Sequence, residues 1–261
     1  PMSDRLKKYF DVSYEEIEQS LRFMAQNGVE PTASMGDDTP MAVFSRTPRQ
    51  LFDFMRQQFA QVTNPPLDSL REKAVMSLGI SLGYRAFLAK RNAQHAKQVI
   101  LPSPLLSNVQ FTNLCNTEDS FFRPHAISLH YAHETQNVLD ALRDLANKVM
   151  KQLNDVHLLL VLYDDENQLS QPSIHPVLAV GYLHQVLVRE QKREQVSIVV
   201  SSGWVRDAHH LAMLVATGAE AIHPWLAYRL IDQVTDAPFE ARQNYRQALN
   251  KGLLKIASKM G

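Results

Sequence analysis

The feature that most constrains the fold is the alternation of short apolar runs with longer amphipathic stretches between residues 125 and 222. The short runs indicate strands, whereas the longer stretches have the apolar spacing of helices. Strands are expected at residues 125–129, 156–163, 196–200 and 219–222, and helices at 135–153, 176–190 and 206–217. Successive strand–helix units with right-handed crossovers predict an α/β fold with a mostly parallel sheet, either open or curved toward a partial or distorted (βα)-barrel.

The chain before residue 100 shows helical spacing instead and predicts a helical N-terminal portion. Two short helices are expected within residues 1–30, with Ser13 as an N-cap and Asn27-Gly28 at the end of the second one. A further helix is expected at residues 48–60, where apolar residues share one face. The sequence QVTNPPLD at 61–68 then breaks it, because two prolines exclude regular helix.

Charge and cysteine content exclude several classes of protein. Lys plus Arg equals Asp plus Glu at 27 each, so no net field favours nucleic acid or an anionic membrane. The longest apolar runs are far shorter than the roughly 20 residues of a membrane span. The single cysteine, Cys115, cannot form an internal disulfide and fits a reducing compartment. We therefore expect a soluble, cytoplasmic protein that binds neither nucleic acid nor a membrane.

Polar residues follow three of the predicted strands, where parallel α/β proteins place their ligands. They are Tyr163-Asp164-Asp165, Ser201-Ser202-Gly203 and His223-Pro224. The serine–glycine segment could offer backbone N–H groups to a phosphate, but a single glycine is a weak signal. A helix-capping turn is the favoured interpretation.

Histidines, acids and the thiol give no convincing catalytic constellation. The candidate metal ligands are His184, His209, His210 and His223, yet adjacent His209 and His210 point about 100° apart on a helix. The candidate acids are Asp37, Asp38, Asp68 and Glu72, which lie in segments where turn hydrogen bonds account for acidic residues. Cys115 has no base beside it in sequence. We predict no catalytic residue, no cofactor site and no metal site.

Several segments resemble glutamate synthases, in the region that follows their N-terminal amidotransferase domain. The most specific are SMGDD at 34–38 together with FAQVTNPP at 59–66 and RE at 71–72. The resemblance continues through LPSPLLSN at 101–108, and through residues 176–189, 199–228 and 245–261, so that it covers nearly the whole chain. The chain is thus identified as a member of the glutamate synthase family, in its central domain.

The second half departs from the family pattern. Family members tend to carry Ser-Asp-Arg at 163–165, Glu-Ser-Gly-Glu-Ala-Arg at 201–206 and Asn-Pro-Tyr at 223–225, and consecutive histidines around His184. Here these segments read YDD, SSGWVR and HPW, and a single histidine stands at 184.

The resemblance implies a parent enzyme that converts L-glutamine and 2-oxoglutarate to two L-glutamates, with FMN and an iron–sulfur cluster held elsewhere. The expected partners are the amidotransferase and FMN-barrel domains of the same chain. Residues 1–261 would form one central domain: a mainly helical portion at 1–100, β-α units at 101–244, and a lead-in to the FMN barrel at 245–261. The terminal residues Pro1 and Gly261 are interpreted as the ends of a fragment.

By the same resemblance, the central domain braces an internal ammonia path and is not catalytic alone. Thr63 and Asn64 are the predicted contacts with that path, on a loop whose backbone Pro65 and Pro66 restrict. The alternative is a free-standing α/β-barrel-like enzyme with a new site at the divergent strand ends, such as zinc held by histidines.

Overall fold

The structure, a computed structural model, describes residues 4–33, 36, 39–40, 42–44, 49–56, 67–68, 70–85, 93–119, 122, 124–153 and 157–259. The helices are α1 Asp4–Tyr9, α2 Arg22–Asn27, α3 Glu72–Val75, α4 Asn108–Cys115, α5 Val138–Gln152, α6 Pro176–Arg189, α7 Ala208–Thr217, α8 Trp225–Gln233 and α9 Pro238–Lys259. The strands are β1 Ile80–Gly83, β2 Gln98–Leu101, β3 Pro124–Ser128, β4 Leu158–Tyr163, β5 Val196–Ser201 and β6 Ala221–His223. None of the helices in these ranges has the length and apolarity that crossing a membrane requires.

The chain divides into two compact units. One comprises residues 1–78, 206–213 and 227–261, and is called the helical unit here; the other comprises residues 79–205 and 214–226, and is called the sheet unit. The prediction of a single domain with three sections stays a prediction.

The sheet unit contains a four-stranded sheet in the order β3-β4-β5-β6, with every neighbouring pair parallel. All six residues of β5 are buried, which is the pattern of a strand covered on both faces. A second sheet pairs β1 with β2 antiparallel. Leu82 of β1, Leu101 of β2 and Leu114 of α4 join the core cluster that includes Leu159 and Val199. The predicted α/β fold with a parallel sheet and a helical N-terminal portion is confirmed, and the described strands form an open sheet.

Helix α5 buries a stripe of Ala141, Leu142, Leu145, Ala146 and Val149, as its spacing predicts. The stripe is shorter than predicted, since Val138 and Leu139 are exposed. The helix begins later than expected because Asn137 caps it: its side chain accepts the N–H of Asp140.

The helical unit is organised by α2 and α9, which pack together. Ser13 accepts the N–H of Glu16, as predicted, and the next residues form a π-helix at Glu16–Leu21 that leads into α2. Gly28 ends α2 in the left-handed conformation, with φ 63°. Carbonyls at this end of α2 accept hydrogen bonds from α9: Asn244 donates to Ala25, and Lys251 donates to Gly28. These bonds satisfy carbonyls that a helix end leaves unpaired.

The prediction of a helix at residues 48–60 is wrong. Within residues 49–56, the described part of this segment, a 3-10 turn forms at Leu51–Phe54, and Met55 is extended with φ −113° and ψ 138°. The side chain of Asp53 accepts the N–H of Gln50, a capping-box contact that stabilises the start of this turn. Residues 57–66 lie outside the described residues.

Candidate functional site

Asp164 follows β4 at the carboxyl end of the parallel sheet and is only 2% exposed. Its carboxylate accepts the backbone N–H of Gly203 at 2.8 Å, the indole N–H of Trp225 at 2.9 Å and the hydroxyl of Ser202. Ser202 and Gly203 come directly after β5, and Trp225 begins α8 just beyond β6. One carboxylate therefore joins the ends of three successive strands; this set is called the Asp164 network.

Burial raises the pKa of Asp164 to about 6, and the three donors oppose that shift by stabilising the ionised form. A carboxyl group with such a pKa can carry a proton close to neutral pH. Its hydrogen-bonding groups are nevertheless committed to Ser202, Gly203 and Trp225, and the side chain is enclosed. The geometry thus supports a role in holding the strand ends together.

The serine–glycine segment after β5 neither caps a helix nor presents its glycine N–H to a ligand. Helix α7 begins at Ala208, and its cap is Asp207, which accepts the N–H of His210 at 2.7 Å. The helix-capping interpretation of residues 201–203 is therefore wrong. The N–H of Gly203 already donates to Asp164, so an internal carboxylate occupies the position that a phosphate would need.

A second set of hydrogen bonds, separate from the Asp164 network, joins β5, β6 and α4. His223 Nδ1 is 2.9 Å from the Ser201 hydroxyl, and its Nε2 is 2.9 Å from the side-chain oxygen of Asn108. Because an amide oxygen only accepts, Nε2 donates to Asn108 and Nδ1 accepts from Ser201. Phe111 stacks on the imidazole at 4.2 Å.

Ser201, His223 and Asn108 follow the serine–imidazole–amide order of a catalytic triad. Whether the serine could act as a nucleophile depends on how far these side chains are buried. Ser201 is 5% exposed and His223 is 7% exposed. Burial lowers the pKa of His223 to about 4, which keeps the imidazole neutral at physiological pH. The arrangement is that of a satisfied internal relay between elements.

The other two residues at the end of β4, Tyr163 and Asp165, also have partners within the protein. Asp165 donates its N–H to His130 at 3.3 Å, and its side chain accepts the N–H of Asn167 at 2.8 Å. Tyr163 is the last residue of β4 and pairs with Ser128 in the ladder.

His184 lies at the amino end of β5, where it accepts a hydrogen bond from Arg193 at 3.0 Å. Arg193 also forms a 2.8 Å ion pair with Glu220, and Glu220 accepts the N–H of Ile198. Burial and, to a smaller extent, Arg193 lower the pKa of His184. His184 is thus part of a network that fixes the start of the sheet.

His209 and His210 belong to the helical unit, whereas His184 and His223 belong to the sheet unit. His209 Nε2 lies 2.9 Å from the carbonyl of Phe52, and His210 stacks on the Phe52 ring at 4.1 Å. Across the part of the chain that is described, no group of three or more His, Cys, Asp or Glu residues could hold a metal ion. The histidine–zinc alternative therefore has no support.

The structure places Asp68, Glu72 and Cys115 in three different settings. Asp68 accepts the N–H groups of Leu70 and Arg71 in a turn, as expected. Glu72 accepts the hydroxyl of Ser258 at 3.0 Å. Burial raises the pKa of the Cys115 thiol, the opposite of an activated nucleophile. Asp37, Asp38, Thr63 and Asn64 lie outside the described residues.

Sequence reasoning missed a buried ionic cluster in the helical unit. Arg206 is 1% exposed, forms an ion pair with Glu16 and donates to the carbonyls of Phe10 and Asp11. Tyr245 donates its hydroxyl to the Arg206 carbonyl at 3.0 Å. These partners are far from Arg206 in sequence, so local spacing carries no signal for the cluster.

Glu30 caps the start of α7 from a distance, accepting the N–H of Ala208 at 3.2 Å. Burial raises the pKa of Glu30 to about 7; Asp207 raises it further, while the Ala208 bond and Lys255 lower it. Gly252 in α9 makes room for this carboxylate, because a Cβ at Gly252 would overlap it.

These observations define the class of protein: an α/β domain whose strand ends are joined by internal hydrogen bonds. The chain belongs to the glutamate synthase central domain family, whose sequence profile matches residues 5–261.

Relatives with curated names match the chain over nearly its whole length. The NADPH glutamate synthase large chain of Bacillus subtilis is 35% identical over 261 residues, covering 98% of this chain and 17% of its own length. A chloroplastic ferredoxin-dependent glutamate synthase of Oryza sativa is 37% identical, and the match again covers 98% of this chain and 17% of the relative's length. Ferredoxin-dependent glutamate synthase 2 of Synechocystis is 38% identical, and the match covers 97% of this chain and 17% of the relative's length. The chain thus spans about one sixth of the length of these relatives.

Among solved structures, a mutant flavocytochrome b2 with pyruvate bound matches 46% of this chain and 34% of its own. The TM-score is 0.31 and the identity 10%. That likeness is too low to carry an argument.

Proposed function

We propose that the chain serves as the coupling domain of a glutamate synthase large subunit. In the parent enzyme, L-glutamine and 2-oxoglutarate would give two L-glutamates, and this domain would brace the internal ammonia path between an amidotransferase and an FMN barrel. The observation that carries the proposal is the match over residues 5–261 to relatives named as glutamate synthases, in which the matched region is 17% of the length. The strand ends support it, because Asp164, Ser202 and Gly203, at the edge where α/β enzymes bind their ligands, are hydrogen-bonded to one another.

The residues of this chain do not fit the redox groups of the parent enzyme. Iron–sulfur clusters are held by several thiolates, and the chain has one cysteine. At the strand end after β5, the Gly203 N–H that could bind a flavin phosphate already donates to Asp164. In the proposed arrangement both groups belong to the other domains.

Thr63 and Asn64 are the proposed contacts with the ammonia path. The test replaces Asn64 by Ala in the complete polypeptide and measures glutamine hydrolysed per glutamate formed. N64A should raise this ratio and release ammonia to the medium. Asn147→Ala, on an exposed position of α5, is the matched control and should leave the ratio unchanged. Equal ratios in N64A and the parent would remove the role of this loop. A natural reading frame without the amidotransferase and flavin barrel would remove the coupling role itself.

A further inference from the structure

Strand β3 is an edge strand, and β4 is its one strand neighbour within the described ranges. The N–H of Leu129, directly after β3, donates to the Tyr163 carbonyl at 2.7 Å. Backbone groups of successive strand residues point to alternate sides, so His125 and Ile127 also bond toward β4. The N–H and C=O groups of Ala126 and Ser128 therefore point to the open side.

A groove of about 330 Å³ runs along this open side. Its walls are β3 residues 125–128 and the last turns of α5, which contribute Lys148, Lys151 and Gln152. Both lysines and Ala126 are exposed. Among the residues that the structure describes, no acidic side chain lines the groove. Asp144 on α5 lines an adjoining pocket that shares Ile127, Ser128 and Lys148, and it accepts a hydrogen bond from Gln136.

We infer that the β3 edge binds an extended segment that adds to the sheet as a further strand and carries acidic side chains toward Lys148 and Lys151. Backbone groups of Ala126 and Ser128 would bond to the segment, and the lysines would select its charge. Its source is the same parent polypeptide, since the matched region makes up 17% of the relatives' length. The choice of source rests on the proposed function.

The first test measures amide hydrogen exchange of the 261-residue chain with a capped hexapeptide of alternating valine and glutamate. Exchange at Ala126 and Ser128 should slow about tenfold or more at saturation, whereas His125 and Ile127 should not change. A matched valine–lysine peptide should have no effect. Equal protection by both peptides, or protection by neither, overturns the inference.

Two variants separate backbone pairing from charge. Ala126→Pro removes an outward N–H that β4 does not use, so β3 stays paired while peptide binding is lost. The double variant K148E/K151E should prefer the valine–lysine peptide. An A126P chain that binds like the parent, or an unchanged charge preference in the double variant, contradicts the inference.

The source is tested in the complete polypeptide. Its Ala126 and Ser128 amides should exchange more slowly than in the 261-residue chain; equal rates would overturn the assignment to the parent polypeptide. This readout is independent of the glutamine-to-glutamate ratio that tests the proposed function.

Discussion

Gly252 lies inside α9, and a methyl group added there has two opposing effects on the free energy of unfolding. Alanine is favoured over glycine in a helix interior by about 1 kcal/mol. The new Cβ would, however, lie 2.6 Å from the Cβ of Ala208 and overlap the Glu30 carboxylate. Glu30 can rotate away, but Ala208 begins α7, so its methyl group moves only with the helix. Overpacking of this kind costs about 1–3 kcal/mol.

Displacing Glu30 also leaves the Ala208 N–H without its acceptor, a loss of about 1 kcal/mol for a helix cap. The terms sum to a net destabilisation of about 1–3 kcal/mol for Gly252→Ala. The matched control is Gly181→Ala in α6, where the new Cβ meets Thr217 at 3.9 Å, an ordinary contact. G181A should therefore stabilise the chain by about 0.5–1 kcal/mol.

Urea denaturation followed by far-ultraviolet circular dichroism compares both variants with the parent chain. G252A should unfold at lower urea concentration and G181A at higher. The steric reasoning is refuted if G252A is as stable as the parent, or if both variants shift in the same direction.

Two further predictions concern buried carboxylates. The folded-state pKa of Glu30 is raised from 4.5 to about 7, so its contribution to the free energy of unfolding falls as pH rises through that window. Glu30→Gln keeps an acceptor for Ala208. In urea titrations its free energy of unfolding should equal that of the parent at pH 4 and exceed it by about 3 kcal/mol at pH 8; a pH-independent difference contradicts this. Asp164→Ala removes the carboxylate that accepts the N–H of Gly203 and the indole N–H of Trp225, and should lower the free energy of unfolding by about 3–5 kcal/mol. Asp164→Asn keeps one oxygen and should lower it less. Tryptophan fluorescence in urea measures both Asp164 variants, and a D164A chain within about 1 kcal/mol of the parent would refute the role of the network.

Elements defined by local pattern were predictable from the sequence. Strands β4 and β5 are apolar runs between turns, and α5 and α6 have long apolar stripes. Strands β1 and β2 were not predicted, because each has four residues of mixed burial and is defined by its antiparallel partner. The segment 48–60 has helical spacing, yet its described residues form a 3-10 turn at Leu51–Phe54 and are extended at Met55. The local apolar spacing does not indicate this change.

The sequence predicted where the strand-end residues lie but not which of them form hydrogen bonds with one another. Residues after β4, β5 and β6 were correctly placed at one edge of the sheet, whereas their pairing depends on tertiary structure. Ser201 and His223, two positions at which the resemblance leads us to expect a departure from the family pattern, are hydrogen-bonded to each other at 2.9 Å. When positions are compared one at a time, these two residues look like unrelated changes. In the structure they form one contact.

The Asp164 network also has a consequence for the order in which the chain folds. Asp164 is separated from Ser202, Gly203 and Trp225 by 38, 39 and 61 residues, so its bonds form only after two intervening strand–helix units have closed their loops. We expect these bonds to form after the rate-limiting step of folding, and the loss of a contact that forms so late accelerates unfolding more than it slows folding. Asp164 is therefore expected to act late, lengthening the lifetime of the finished sheet while leaving the rate of its assembly nearly unchanged.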